Sequence, residues 1–127
     1  MEVTIEPGTS SVSGVKIAVG ENNYFEMGYV AAQQLFYIDR SKSGNTSFNE
    51  NFKKLSRFEK IIPLTNKKLQ LHIYFDNSIA EVFVNDGIAA FTAQIFPAEK
   101  DMGIELFSKD AKSTFSNLTL WQMKRVW

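Results

Sequence analysis

The stretch Asp76–Gly87, DNSIAEVFVNDG, decides the fold. From Ile79 to Val84 it is rich in β-branched and aromatic residues, the composition of a strand. With period 2, Ile79, Glu81 and Phe83 fall on one face and Ala80, Val82 and Val84 on the other. Asn85-Asp86-Gly87 then supplies residues that tolerate positive φ, which predicts a hairpin with a type I′ turn. Both faces of the strand are apolar, so one is expected in a core and the other against something beyond it. Glu81, set among apolar neighbours, is expected to be partly buried and hydrogen-bonded.

The neighbouring runs repeat the pattern. LQLHIYFD (Leu69–Asp76) places Leu69, Leu71, Ile73 and Phe75 on one face and Gln70, His72, Tyr74 and Asp76 on the other. Asp76-Asn77-Ser78 reads as the turn into the next strand. AAFTAQIF (Ala89–Phe96) follows and is ended by Pro97, which cannot donate in a ladder. Nearer the start, EVTIE (Glu2–Glu6) puts Val3 and Ile5 on one face, and VKIAV (Val15–Val19) does the same with Val15, Ile17 and Val19. YFEMGYV (Tyr24–Val30) and QLFYID (Gln34–Asp39) are joined by the short VAAQ connection. GIELFS (Gly103–Ser108) and STFSNLTLWQM (Ser113–Met123) close the chain. The segment Ser41–Lys60 is polar with phenylalanines set into it, and reads as an ordered loop with room for one helical turn. About nine strands joined by short turns predict an all-β, two-sheet antiparallel sandwich, with a closed barrel as the alternative.

The 127 residues suffice for a single domain, 1–127, with a real core. Fourteen basic and fourteen acidic side chains give a formal net charge of +0, which points away from nucleic acid and anionic membrane partners. The absence of cysteine removes disulfides, cysteine-based zinc sites and thiol catalysis. No apolar run approaches the ~18 residues of a membrane span. The opening MEVTIEPGTSS lacks the basic and apolar regions of a signal peptide. A chain that begins directly in strand-like alternation reads as a piece of something longer.

Asp76 and Glu81 are a carboxylate pair, the equipment of glycoside hydrolysis when held about 5 Å apart or about 6.5–9.5 Å apart. Sequence neighbours around Glu81 favour a structural or binding role instead. His72 has neither a nucleophile elbow nor imidazole partners, so triad chemistry and a zinc site are both unsupported. It reads as a polar residue on an outward strand face. Asp39-Arg40 ends a strand; such a pair either braces a loop or holds sugar hydroxyls. Trp121, Trp127 and the tyrosines read as core and interface residues more than as sugar platforms. Asn45 and Asn117 begin N-x-S/T sequons, a pattern common by chance.

FYIDRSKSG (Phe36–Gly44), SFNENF (Ser47–Phe52), the whole of Leu69–Pro97, GIELFS and the terminal LTLWQMKRVW (Leu118–Trp127) together resemble the C-terminal β-sandwich of glycoside hydrolase family 32. Levanases, inulinases and invertases make up that family. Asp39–Gly44 matches its D-R-S/T-x-S-G element, and Asp76–Gly87 its D-x-S-x-x-E-V-F-x-N-D-G element. The resemblance runs from about Val15 to the end. It implies a jelly-roll sandwich of the concanavalin A-like lectin type and a parent enzyme, extracellular or periplasmic, that cleaves β-fructofuranosides. It also implies that catalysis resides in an N-terminal β-propeller, through N-D-P-N, R-D-P and E-C motifs. None of these occurs here, so no catalytic residue, metal or cofactor is expected in this chain. The expected role is to pack on and stabilise that propeller, its partner; the alternative is a fructan-binding carbohydrate-binding module, with levan or inulin as partner. A homo-oligomer is compatible with either. Asp39, Arg40, Asp76 and Glu81 are the candidate ligand-binding residues.

Overall fold

A computed structural model describes residues 1–20, 24–40, 57–64, 67–76, 79–85, 87–94 and 103–119. Among the described residues ten strands form: β1 (Glu2–Glu6), β2 (Val12–Val19), β3 (Phe25–Val30), β4 (Leu35–Asp39), β5 (Arg57–Ile61), β6 (Leu69–Asp76), β7 (Ile79–Val84), β8 (Ala89–Gln94), β9 (Gly103–Lys109) and β10 (Thr114–Thr119). They make two antiparallel five-stranded sheets, in the orders β10-β1-β6-β7-β8 and β5-β4-β3-β2-β9. The sheets stay separate, so the architecture is the sandwich and not the barrel. A single 3₁₀ turn, Ala31–Gln33, joins β3 to β4 where the short connection is expected.

The core is what alternation predicts. Val3 and Ile5 of β1, Leu69, Leu71 and Ile73 of β6, and Ala80, Val82 and Val84 of β7 are buried on the inner face of the first sheet. They meet Val15 and Ile17 of β2, Phe25, Met27 and Tyr29 of β3, and Phe36 and Ile38 of β4. One polar group enters this layer. The Tyr29 hydroxyl donates to the Ile62 carbonyl at 2.7 Å, which satisfies a buried phenol and pins the segment after β5.

Three expectations are corrected. The Ser41–Lys60 loop contains strand β5 at its end, paired with β4 from Leu35↔Ile61 to Asp39↔Arg57; residues 41–56 lie outside the described set. All five β5 residues are exposed, so no buried face leaves a period in the sequence. In β2, Val19 does not share the buried face of Val15 and Ile17. Ala18 takes φ 51° and is buried instead, at an irregularity in the β2–β9 register between Lys16 and Val19. Such a bulge exchanges the faces beyond it. Phe75, which alternation groups with Leu69, Leu71 and Ile73, is 39% exposed at the end of β6 and not buried with them. Asn77, Ser78, Asp86, Pro97 and both tryptophans lie outside the described residues.

Asn85 shows why its position favours asparagine. It takes φ 48°, and its N–H still donates to the Gln70 carbonyl at 2.9 Å. Its own side-chain Oδ1 accepts from the Gln70 N–H at 2.8 Å, doing the work of a strand carbonyl. Asn85→Ala is expected to cost about 2 kcal/mol, one part for the lost acceptor and one for the left-handed backbone. Asn85→Gly should lose only about half of that, because glycine adopts the conformation freely. Urea midpoints of the two variants check the split.

Candidate functional site

Each sheet has an outer face, and the two differ. On the second sheet, Gly28 of β3 leaves room for the Tyr37 ring, which lies where a Cβ would meet it at 2.7–2.9 Å. Arg57 of β5 covers that ring at 4.0 Å and reaches Asp39 at 3.7 Å. The Tyr37 hydroxyl donates to Glu26 at 2.6 Å, and Lys16 approaches the same carboxylate at 3.9 Å. Lys16 also lies over the Tyr24 ring at 4.4 Å. The face is closed by its own side chains, so Tyr37 is only 3% exposed although it points outward.

Burial, and then the hydrogen bond to Glu26, pushes the Tyr37 phenol well above the ordinary tyrosine range. Its folded-state value therefore lies above its unfolded one. The resulting stabilisation is complete below about pH 10 and is lost as pH rises through the folded value. Tyr37→Phe is expected to make the alkaline fall in stability shallower. Urea midpoints taken between about pH 9 and pH 11 test this; equal slopes for the two proteins would contradict it.

The outer face of the first sheet is open. His72 and Tyr74 project from β6 with rings stacked, centroids 4.8 Å apart and 16° between planes. Phe83 of β7 meets Tyr74 edge-on at 5.8 Å. His72 Nε2 lies 3.1 Å from a Glu2 carboxylate oxygen on β1. These side chains, with Thr4, Gln70 and Asn117, line a shallow groove of about 610 Å³. Asn117 stands at φ 53° on β10, opposite the irregularity between Glu2 and Thr4.

One end of this sheet is apolar. Tyr74, Phe75 and Ile79 are 40%, 39% and 48% exposed around the β6–β7 connection, and Leu118 of β10 is 47% exposed beside the Glu2↔Thr119 pair. The chain enters β1 at the same end, where the Met1 carbonyl accepts from the Ile73 N–H at 2.8 Å.

The candidate ligand residues fall on two sheets. Asp39 and Arg40 end β4 in the second sheet. Asp39 faces Arg57, and the Arg40 guanidinium lies 5.7 Å from the Phe58 ring, with burial lowering its pKa. Both brace the β5 edge. Glu81 lies on the outer face of the first sheet, opposite Tyr74, and Asp76 ends β6 paired with Ile79. The expectation for Glu81 is corrected: it is exposed, and no hydrogen bond or ion pair engages its carboxylate among the described residues. Period 2 puts Val82 inward and Glu81 outward, and none of the described residues covers the Ile79–Phe83 face there. Sequence reasoning missed Glu2, Gln70 and Asn117 as neighbours of His72. Only the outward alternation of Gln70, His72 and Tyr74 signals them; the other two arrive from distant strands. Among the described residues no cluster of three metal-ligating side chains forms, and no helix is long and apolar enough to cross a membrane.

The described residues thus form a two-sheet antiparallel β-sandwich, with one outer face largely covered by its own side chains and one open and lined by aromatic and amide groups. Residues 1–122 match the family profile described as glycosyl hydrolases family 32 C terminal. The chain belongs to that family, as the C-terminal domain of its enzymes. It is 34% identical over 126 residues to a levanase of Bacillus subtilis, covering 99% of this chain and 18% of the relative. An extracellular exo-inulinase of Aspergillus niger is 32% identical over 120 residues, covering 87% of this chain and 22% of the relative. The chain thus spans about a fifth of the length of these relatives. In three dimensions it superposes on exo-inulinase from Aspergillus awamori with a TM-score of 0.78 at 26% identity, over 90% of this chain and 23% of that one. A fructosyltransferase from A. japonicus shares the fold, with a TM-score of 0.73 over 91% of this chain and 21% of that one, at 18% identity.

Proposed function

We propose that this chain is the non-catalytic sandwich of an extracellular or periplasmic β-fructosidase, and that it packs on and stabilises a catalytic β-propeller. The contrast between the two outer faces carries this reading. The middle of the second sheet's outer face is covered by its own side chains, and its exposed apolar residues, Phe58, Ile61, Ile104 and Leu106, lie on the edge strands β5 and β9. The first sheet leaves Phe75 and Ile79 exposed side by side at the β6–β7 connection, and grouped apolar exposure of this kind marks interaction surfaces. A preceding domain joined at Met1 would enter beside Ile73, at that same end. Among the described residues no carboxylate pair is held by hydrogen bonds in a cleft, the arrangement glycoside hydrolysis requires. Mixed with the separately produced catalytic domain of its parent enzyme, the chain is expected to co-elute as a 1:1 complex and raise that domain's Tm. Ile79→Glu should weaken the complex about ten-fold or more, because it buries an unpaired charge. Alone, the chain should release no fructose from levan, inulin or sucrose. Fructose release by the pure chain, or an Ile79→Glu variant that binds unchanged, would sink the proposal.

A further inference from the structure

The groove on the first sheet has a chemistry that the docking surface does not need. Docking is served by aliphatic and aromatic groups at the end of the sheet. The groove runs from Glu2 and Tyr74 toward Gln70 and Gly87, away from that end. We propose that it is a binding subsite for a neutral oligosaccharide, which lies along the sheet with its ring faces against Tyr74 and Phe83.

Lining chemistry selects the ligand class. Among the described residues no lysine or arginine lines the groove, and its titratable side chains, Glu2 and His72, lie 3.1 Å apart. A phosphate or other anion would meet a carboxylate and, among the described residues, no fixed cation. An aliphatic or lipid ligand would strand the amides of Gln70 and Asn117 and the Glu2 carboxylate against apolar surface. Vicinal hydroxyls suit all of these groups. Each amide offers a donor and an acceptor, the carboxylate accepts two further bonds, and the C–H faces of a sugar ring fit aromatic surface. A volume of about 610 Å³ lies within the range of small-molecule sites, and the open shape admits a chain that continues past both ends.

Two local features hold the polar groups in place. The Gln70 backbone is clamped on both its N–H and its carbonyl by Asn85, so its side chain rises from a fixed point. Asn117 holds a left-handed backbone inside a strand. That conformation is costly for most side chains, and such outliers concentrate where a side chain must be re-aimed.

This subsite does not rest on the docking reading, and the two fail separately. The test is an amide-shift titration of the ¹⁵N-labelled chain with inulin-derived oligosaccharides, with maltoheptaose and a sulfated dextran alongside. Saturable shifts are expected at Thr4, Gln70, His72, Tyr74 and Asn117. Gln70→Ala, at an exposed side chain, should weaken binding about five-fold, and adding Asn117→Gly about twenty-five-fold, with Tm checked for both. Ile79→Glu should leave the titration unchanged. Binding of both neutral sugars, or of the fructan alone, supports the subsite. Absence of saturable shifts, shifts confined to the second sheet, preference for the sulfated polymer, or full affinity in Gln70→Ala would overturn it.

Discussion

Gly14→Ala is expected to lose about 3 kcal/mol or more, enough to leave much of the chain unfolded at 37 °C. Gly14 of β2 pairs directly with Gly28 of β3. A Cβ built on Gly14 would lie 2.0 Å from the Met27 carbonyl oxygen and 2.6 Å from the Gly28 Cα. Those are backbone atoms of the neighbouring strand, and no rotamer change relieves them. The two central strands of the second sheet would have to separate, with Val15 and Met27 moving out of register in the core on either side. A urea midpoint close to the parent's would show that the strands do not approach so closely. Failure to accumulate as folded protein is the same result in stronger form.

Phe36→Ala should cost about 3–5 kcal/mol, the range for truncating a buried aromatic side chain. Phe36 is fully buried on β4, and its ring centroid lies 5.3 Å from that of Phe91 on β8. The pair bridges the two sheets near one edge of the sandwich, so alanine leaves a void that neither sheet alone can close. Phe36→Leu should cost no more than about 1.5 kcal/mol, since most of the volume is kept. Phe58 sits in the neighbouring strand but is largely open to solvent. Phe58→Ala should therefore stay within about 0.5 kcal/mol of the parent. Similar losses for Phe36→Ala and Phe58→Ala would mean that the core does not extend as described.

The sequence makes the first sheet legible because β1 and β7 each have one fully buried face and β6 buries Leu69, Leu71 and Ile73 on one, and burial writes period 2 into the residues. It hides β5, whose residues are all exposed. A strand without a buried face is held by its ladder to β4, and backbone hydrogen bonds carry no side-chain signature. The bulge at Ala18 is hidden for a related reason: alternation continues in the letters while the backbone changes face. Glu81 is a different case. Its apolar neighbours Ile79 and Phe83 suggest burial, yet they share the face that the described residues leave open. Apolar spacing identifies a face but not what covers it. The groove was legible only along β6. Glu2 and Asn117 join it through the β1–β6 and β1–β10 pairings, which link residues more than sixty and more than one hundred positions apart. Asp39 and Arg40 were visible as a strand-end pair, but their engagement with Arg57 and Phe58 depends on β5, the strand the sequence conceals.

The central claim is that the open end of the first sheet is covered by the catalytic domain in the parent enzyme. Hydroxyl-radical footprinting of the isolated chain and of the parent enzyme measures this side chain by side chain. The account predicts that oxidation of Phe75 and Ile79 falls several-fold in the parent, while Ile61 on the second sheet is modified equally in both. Equal modification of the two first-sheet residues, or protection confined to the second sheet, would contradict it.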